Sequence, residues 1–453
     1  MKLNRTSFIS LLAALTLGAA SCGEKEIPII NTGGSNNNGN TDLASGNEMV
    51  IYEANPKVFA SSGAFKAMED RLDEIQDLGV NVLWIMPIHP IGSVNSVGSP
   101  YCVKDFKAVN SSYGNLADLK SLVDKAHSMD MKVILDWIAN HTAWDNSWVT
   151  EHPDWYTKDG AGNIISPAGM GWNDVADLNF DSKALRTNMI EAMKFWVTDA
   201  GIDGFRCDYA EGVPGDFWTD AIKAIRSVKK DAIMLAEAAD MSLYDCGFDM
   251  LYGWDFQSKL ADVFSGKRKV QALYDSHKNE YAGAKDGKER MRFSTNHDKA
   301  MNESSPITMY KGERGAMAAF VIAAYMGGIP MIYSSQEIGY TKTLSFFNNT
   351  ILDWNSNPSY TEEYQKVMKA YTESAEARGG EMTLYNTGDL VTIYYQGGLM
   401  VTVNTTGASV QVKTPMERSG DKAVNMMTGN QENIPAALSL EAYEYKIWKI
   451  EKQ

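Results

Sequence analysis

The chain has 453 residues, of which 44% are hydrophobic, 22% charged and 10% aromatic, a globular composition with enough apolar mass for a large core. Its 42 Lys and Arg stand against 57 Asp and Glu. The net charge of −15 argues against the basic face that a nucleic-acid binder needs and against an anionic ligand steered by the overall field. A neutral ligand fits best, and 11 Trp and 21 Tyr supply flat apolar faces suited to sugar rings.

Residues 1–22 read as an export signal: Lys2 and Arg5, an apolar run at 8–17, then Gly18-Ala19-Ala20-Ser21-Cys22. The run is too short to span a bilayer. Its small residues ending at Cys22 resemble a lipoprotein processing site. That resemblance implies that Cys22 becomes the first mature residue and carries lipid, so that the protein is exported and anchored to a membrane, at the outer membrane or cell surface. Residues 23–47 include the Gly- and Asn-rich tract 31–40 and cannot bury enough apolar surface to offset their ordering entropy, so they read as a flexible linker. Only Cys102, Cys207 and Cys246 remain, an odd number and too few for a disulfide framework, so free thiols are expected.

From residue 48 the pattern alternates. Short apolar strands are expected at 49–53, 81–86, 131–136, 202–206, 232–236, 248–251, 291–295 and 329–333. Helical periodicity separates them, as in Phe65, Met68, Leu72, Ile75 and Leu78, or along 183–200 and 315–326. Eight strands alternating with helices predict an α/β fold, a (β/α)8 TIM barrel over 48–378. The open doubly wound sheet is the alternative, and no GxGxxG follows an early strand to support it. The stretch 142–180, with Trp144, Trp148, Trp155 and Trp172, is too long for a simple loop and predicts a small subdomain inserted after strand 3. Beyond residue 379 the alternation gives way to β patterning at 390–395, 399–403, 409–412 and 443–448, which predicts a C-terminal antiparallel β-sandwich over 379–453.

In a TIM barrel the chemistry gathers at the C-terminal strand ends. Those ends carry Asp136 with Asn140 and His141 beyond it, Arg206 and Asp208, Glu237, and Asn296-His297-Asp298. Carboxylates converging on one rim suit glycoside hydrolysis, in which one attacks the anomeric carbon and another protonates the leaving oxygen. A single Asp after a strand is more often a cap or an ion-pair partner; the ordered set is not so explained.

The segments Asp136-Trp137-Ile138-Ala139-Asn140-His141, Gly204-Phe205-Arg206-Cys207-Asp208, Leu235-Ala236-Glu237-Ala238 and Phe293-Ser294-Thr295-Asn296-His297-Asp298 resemble the four signature regions of the α-amylase family of glycoside hydrolases (family thirteen), in order and in position. Asp177-Leu178-Asn179 is similar to the family's fifth region, and 328–337 to its eighth-strand motif. The resemblance implies a hydrolase that cleaves mainly α-1,4 links of starch or maltooligosaccharides with retention, through a glycosyl-enzyme intermediate. Asp208 would be the nucleophile, Glu237 the general acid and base, and Asp298 the transition-state stabiliser. Tyr101, His141, Arg206 and His297 would bind the substrate at the cleavage subsite, with Arg206 holding Asp208 ionised and Asp136 linking strand 3 to Arg206. It also implies a structural Ca2+ held by Asn140, Asp177 and the carbonyl of Gly212, and no organic cofactor. Family members often follow the nucleophile with two small residues and then Lys-His; here the run is Tyr209-Ala210-Glu211-Gly212, which puts Glu211 where the cation stands. Alternative readings are a family transglycosylase or debranching enzyme, or a lipid-anchored starch-binding protein without turnover.

Overall fold

The structure, a computed structural model, describes residues 48–284, 287–378 and 381–451; Cys22, the signal and the linker lie outside them. Eight parallel strands close into a barrel: β1 (Ile51–Ala54), β2 (Val82–Ile85), β3 (Lys132–Trp137), β4 (Gly204–Cys207), β5 (Ile233–Ala236), β6 (Met250–Tyr252), β7 (Glu289–Arg292) and β8 (Ile329–Tyr333). Each strand pairs with its neighbours in sequence, and β8 closes on β1. These strands read as continuous apolar runs because parallel strands covered by helices are buried on both faces.

Register sets the height of the rim. Asp136 of β3 pairs with Arg206 of β4, and Cys207 of β4 pairs with Ala236 of β5. The next residues, Asp208 and Glu237, therefore leave the barrel at one level, fixed by the Asp208 N–H on Trp137 O and the Glu237 N–H on Cys207 O, both 2.9 Å. Gly204 makes the close β4–β5 approach possible: at φ +149°, a Cβ there would stand 1.9 Å from Ile233 O.

Several elements depart from the periodicity. The stretch expected as one helix up to residue 78 is two, Ala64–Glu69 and Leu72–Gln76. They part where the Asp70 N–H is shared between Lys66 O and Met68 O, which tightens the turn. Helix Lys183–Phe195 widens into a π turn over Trp196–Ala200 before stopping at left-handed Gly201. β7 ends at Arg292 rather than 295, because the chain turns there to enter helix His297–Asn302, whose N-cap Asn296 accepts from the Lys299 N–H. Helix Glu313–Tyr325 is buried from Gly315 to Tyr325, since it packs between β8, helix Pro358–Glu373 and C-terminal strand Leu399–Asn404.

The insertion opens on an antiparallel pair, His141–Ala143 with Val175–Asp177, which sets His141 opposite Asp177. The C-terminal region forms a six-stranded antiparallel sheet in the order Met382–Tyr385, Val391–Gln396, Leu399–Asn404, Tyr445–Ile450, Lys422–Asn425, Gln431–Asn433, with a second sheet of Val410–Lys413 and Ala437–Leu440. Gln431–Asn433 is exposed throughout and polar, which is why no apolar alternation marks it. Cys102 and Cys207 are buried and Cys246 is half-buried, all as free thiols. Among the described residues no helix is long and apolar enough to cross a membrane.

Candidate active site

Arg206 is fully buried at the barrel mouth, on the same face of β4 as Asp208 two residues on. Its Nε donates to Tyr252 Oη at 2.9 Å, and its Nη1 donates to both Asp136 Oδ1 and Asp208 Oδ1 at 2.8 Å. Nη2 lies 2.9 Å from Glu237 Oε2, an ion-pair distance without the alignment of a hydrogen bond. The guanidinium also lies 5.0 Å over the Trp84 ring. One cation therefore gathers three carboxylates from the ends of three adjacent strands.

Asp208 departs from the expectation that Arg206 depresses it. Burial raises it, Arg206 pulls it down and Asp136 pushes it up again, leaving it near 6. Burial is the main reason, and the same guanidinium also serves Asp136, itself raised to about 6 chiefly by burial, and Glu237. Glu237 is raised furthest, to about 7, by burial first and then by Asp208 and Asp298, against the pull of Arg206. Groups coupled this closely titrate as a set. Within the set Glu237 is the last carboxyl to lose its proton.

The Tyr209 N–H donates to Glu237 Oε2 at 2.9 Å. With Arg206 against the same oxygen, the proton of the neutral acid belongs on Oε1.

A second chain runs through the rim. His297 Nδ1 bonds Glu53 Oε1, and its Nε2 lies 2.8 Å from Tyr101 Oη and 3.5 Å from Asp298 Oδ2. Tyr101 Oη donates to Asp136 Oδ2 at 3.2 Å. Burial alone would push His297 down, but Asp298 and Glu53 outweigh it and hold it up at about 9. Doubly protonated His297 thus donates to Glu53 and to Tyr101, whose hydroxyl in turn donates to Asp136. The Tyr101 ring stacks on His297 at 5.5 Å and meets Phe346 edge-on. His141 is the opposite case: burial lowers it to about 4, so it is neutral, with Nε2 donating to Tyr101 O and Nδ1 accepting from Asn140 Nδ2. Both ring nitrogens of His141 are engaged by the protein itself.

Asp208, Glu237, Arg206, Asp136, Tyr101, His297 and Asp298 are thus drawn together. Asn140, Asp177 and Gly212 form a neighbouring group beside His141: a Cβ on Gly212 would stand 2.8 Å from Asn140 Oδ1, and Asp177 is in register with His141. Among the described residues, no three His, Cys, Asp or Glu side chains cluster as metal ligands. Glu211 is exposed and is tied to the next loop through one carboxylate oxygen. Its Oε1 accepts the N–H groups of Ala239 and Asp240 at 2.6 and 2.9 Å, clamping the loop after β5.

Two residues were not singled out from the sequence. Tyr252 ends β6 and orients Arg206, and nothing local marks it. Glu53 is buried on β1, with Oε2 lacking a partner among the described residues. Its signal was a carboxylate inside the otherwise apolar run Met49-Val50-Ile51-Tyr52-Glu53.

The alpha amylase catalytic-domain family matches residues 34–163 and 169–380. Alpha-amylase 3 of Dictyoglomus thermophilum is 27% identical over 343 residues, which are 64% of this chain and 64% of that protein. Alpha-amylase MalA of Haloarcula japonica is 26% identical over 364 residues, 77% of this chain and 51% of that protein. The chain thus spans about half to two thirds of the length of these curated relatives. Among solved structures, a maltogenic alpha-amylase, AmyB, from Thermotoga neapolitana superposes with a TM-score of 0.80 at 26% identity, over 90% of this chain and 99% of that one. An alpha-amylase from Lactobacillus plantarum gives 0.80 at 28% identity, over 89% and 99%.

The charge on His297 can be measured directly. Glu53→Gln removes an anion that favours the imidazolium, so the His297 titration, followed by NMR of its ring nitrogens, is expected to move from near 9 toward the ordinary 6.5. An unmoved titration would leave Asp298 as its sole support.

Proposed function

The chain belongs to the alpha-amylase family, and from that premise we propose that it is a retaining α-glucan hydrolase acting mainly on α-1,4 links of starch or maltooligosaccharides. The observation that carries this reading is the single buried guanidinium that holds Asp208 and Glu237 at one level of the rim. Relatives named alpha-amylase and a structural neighbour named maltogenic alpha-amylase support the substrate class.

In this mechanism Asp208, steadied through Oδ1 by Arg206, attacks the anomeric carbon. The bond from that carbon to the glycosidic oxygen breaks, and the oxygen keeps the electron pair and takes the proton from Glu237 Oε1. Asp298 stabilises the positive charge that develops on the ring. Glu237, now a carboxylate, takes a proton from water; the water oxygen bonds the anomeric carbon and releases Asp208. Activity then needs Asp208 ionised and Glu237 protonated. The profile of kcat/KM is expected to be bell-shaped, falling below about 6 and above about 7.

The decisive experiment is hydrolysis of soluble starch with the initial product anomer read by NMR. The α anomer is expected, and Asp208→Asn should lower kcat by roughly 10^3-fold or more while the protein stays folded. An initial β product would overturn the retaining mechanism.

A structural Ca2+ belongs to the same proposal. The donors are hard oxygens of the kind calcium takes. Asn140 Oδ1 accepts no hydrogen bond among the described residues and faces Gly212. Burial raises Asp177, so a cation beside it would relieve a desolvated carboxylate. Bound calcium would pin the insertion to the barrel. EDTA is expected to lower the melting temperature and added Ca2+ to restore it; an unchanged temperature with no calcium by elemental analysis removes the site.

We also propose that Cys22 carries the lipid anchor and that 23–47 lets the enzyme stand off the membrane. Cys22→Ala should move the protein from the membrane fraction to the soluble one, and retention in the membrane fraction would count against the anchor.

A further inference from the structure

Lys57 stands in the short helix Pro56–Phe59 that follows β1, and it is buried although it carries a charge. Buried charges are as a rule paired with an opposite charge. No carboxylate meets this one among the described residues. Its ammonium donates instead to two backbone carbonyls, Phe347 O at 2.9 Å and Gly98 O at 3.3 Å. Burial lowers it to about 8, so it is still charged near neutral pH.

The two carbonyls belong to different loops, and both loops reach the active site. Gly98 lies in the loop after β2, which is closed by the Ile91–Val103 bridge and carries Tyr101. Phe347 lies in the loop after β8, next to Phe346. The loops approach each other here: a Cβ on Gly98 would stand 3.8 Å from Phe347 O. Phe346 meets the Tyr101 ring edge-on at 5.6 Å and the His297 ring edge-on at 5.1 Å. The Tyr101 hydroxyl in turn bonds Asp136 and His297. Lys57 is itself held from below. Asn55 accepts the Lys57 N–H at 3.0 Å and donates its own N–H to Ser334 Oγ just past β8. The Lys57 carbonyl accepts the Thr350 N–H at 3.1 Å.

We propose that Lys57 is a positioning residue for the cleavage subsite: its ammonium clasps the loop after β2 to the loop after β8 and so sets Tyr101 and Phe346 against His297 before substrate arrives. The proposal rests on the α-glucan hydrolase reading, which puts Tyr101 and His297 on the sugar ring under attack. An ammonium carries three donors on one nitrogen and can serve two carbonyls from a single point. With the loops already joined, the cost of ordering them does not fall on binding.

The test is kinetic, with maltotetraose as substrate. Lys57→Met keeps an apolar stem and removes every donor. Its kcat/KM is expected to fall about tenfold, chiefly through KM, because the loops must then be ordered as substrate binds. Lys57→Arg keeps the charge and the donors and should hold kcat/KM within about threefold. In a Phe346→Ala background the contact that the clasp sets is gone, so Lys57→Met should lower kcat/KM by no more than about twofold further. A merely structural role would lower kcat by a common factor in both backgrounds and leave KM where it was. That result, or an unchanged kcat/KM in Lys57→Met, overturns the proposal. Lys57→Gln, with a shorter stem and a neutral amide, is the second variant and carries the same expectation. Hydrogen exchange reads the clasp without turnover: in Lys57→Met, residues 91–103 and 341–352 should exchange faster together. Unchanged protection in either segment overturns the clasp. If the unmodified protein turns over no α-glucan, the hydrolase reading fails, and the exchange result still decides the clasp.

Discussion

A guanidinium with no solvent exposure sits in the mouth of the barrel, and the surrounding structure is arranged to keep it charged. Burying such an ion is expensive, and removing one partner of a buried pair costs about 3–5 kcal/mol. Arg206 has partners on every side: Tyr252 at Nε, Asp136 and Asp208 at Nη1, Glu237 at Nη2 and the Trp84 ring against its face. A lysine has no planar fork with which to reach three strands at once. The barrel supplies the geometry, because parallel register delivers residues from β3, β4 and β5 to one height. The closeness of those strands in turn depends on Gly204 having no side chain.

That dependence explains what the sequence made legible. Strand ends could be read because each is a short apolar run followed by a polar residue, and the barrel rule assigns chemistry to those ends. Asp136, Arg206, Asp208 and Glu237 fall there by counting alone. Glu53 lies inside its strand, and only the tertiary pairing with His297, far away in sequence, gives its charge a purpose. Tyr252 does end its strand, but it continues the apolar run, and only its bond to Arg206 gives it a role. The limits of β7 were misplaced because Phe293 prolongs the apolar pattern past the point where Asn296 captures the chain as a helix cap. The Gln431–Asn433 strand offers no pattern to read, since it pairs at an edge with every residue exposed.

The loop after Asp208 shows how a motif departure can mislead when it is read one residue at a time. Glu211 looks like a reversed charge in the cleft, yet one of its oxygens also ties down the Ala239 and Asp240 amides. Tyr209 departs as well: its backbone is left-handed, its ring meets Trp172 edge-on, and the space for that ring requires Gly212. Gly212 meanwhile faces Asn140, so the same small residue that admits the tyrosine also brings the insertion's edge to the barrel.

The distribution of protons follows from how few cations serve this site. Arg206 and doubly protonated His297 face Glu53, Asp136, Asp208, Glu237 and Asp298, so the carboxylates outnumber the positive groups that meet them. All of them cannot be ionised together in a buried rim. Asp136 and Asp208 each accept an aligned hydrogen bond from Nη1, which favours their charged forms. Glu237 faces Nη2 without that alignment and also feels Asp208 and Asp298. Burial adds to these, so Glu237 is raised highest of the three carboxyls that Arg206 serves. A carboxylic acid kept neutral beside an ionised carboxylate is what acid-assisted displacement requires, and here it arises from burial and from Asp208 and Asp298, which outweigh the pull of Arg206 and of the Tyr209 N–H.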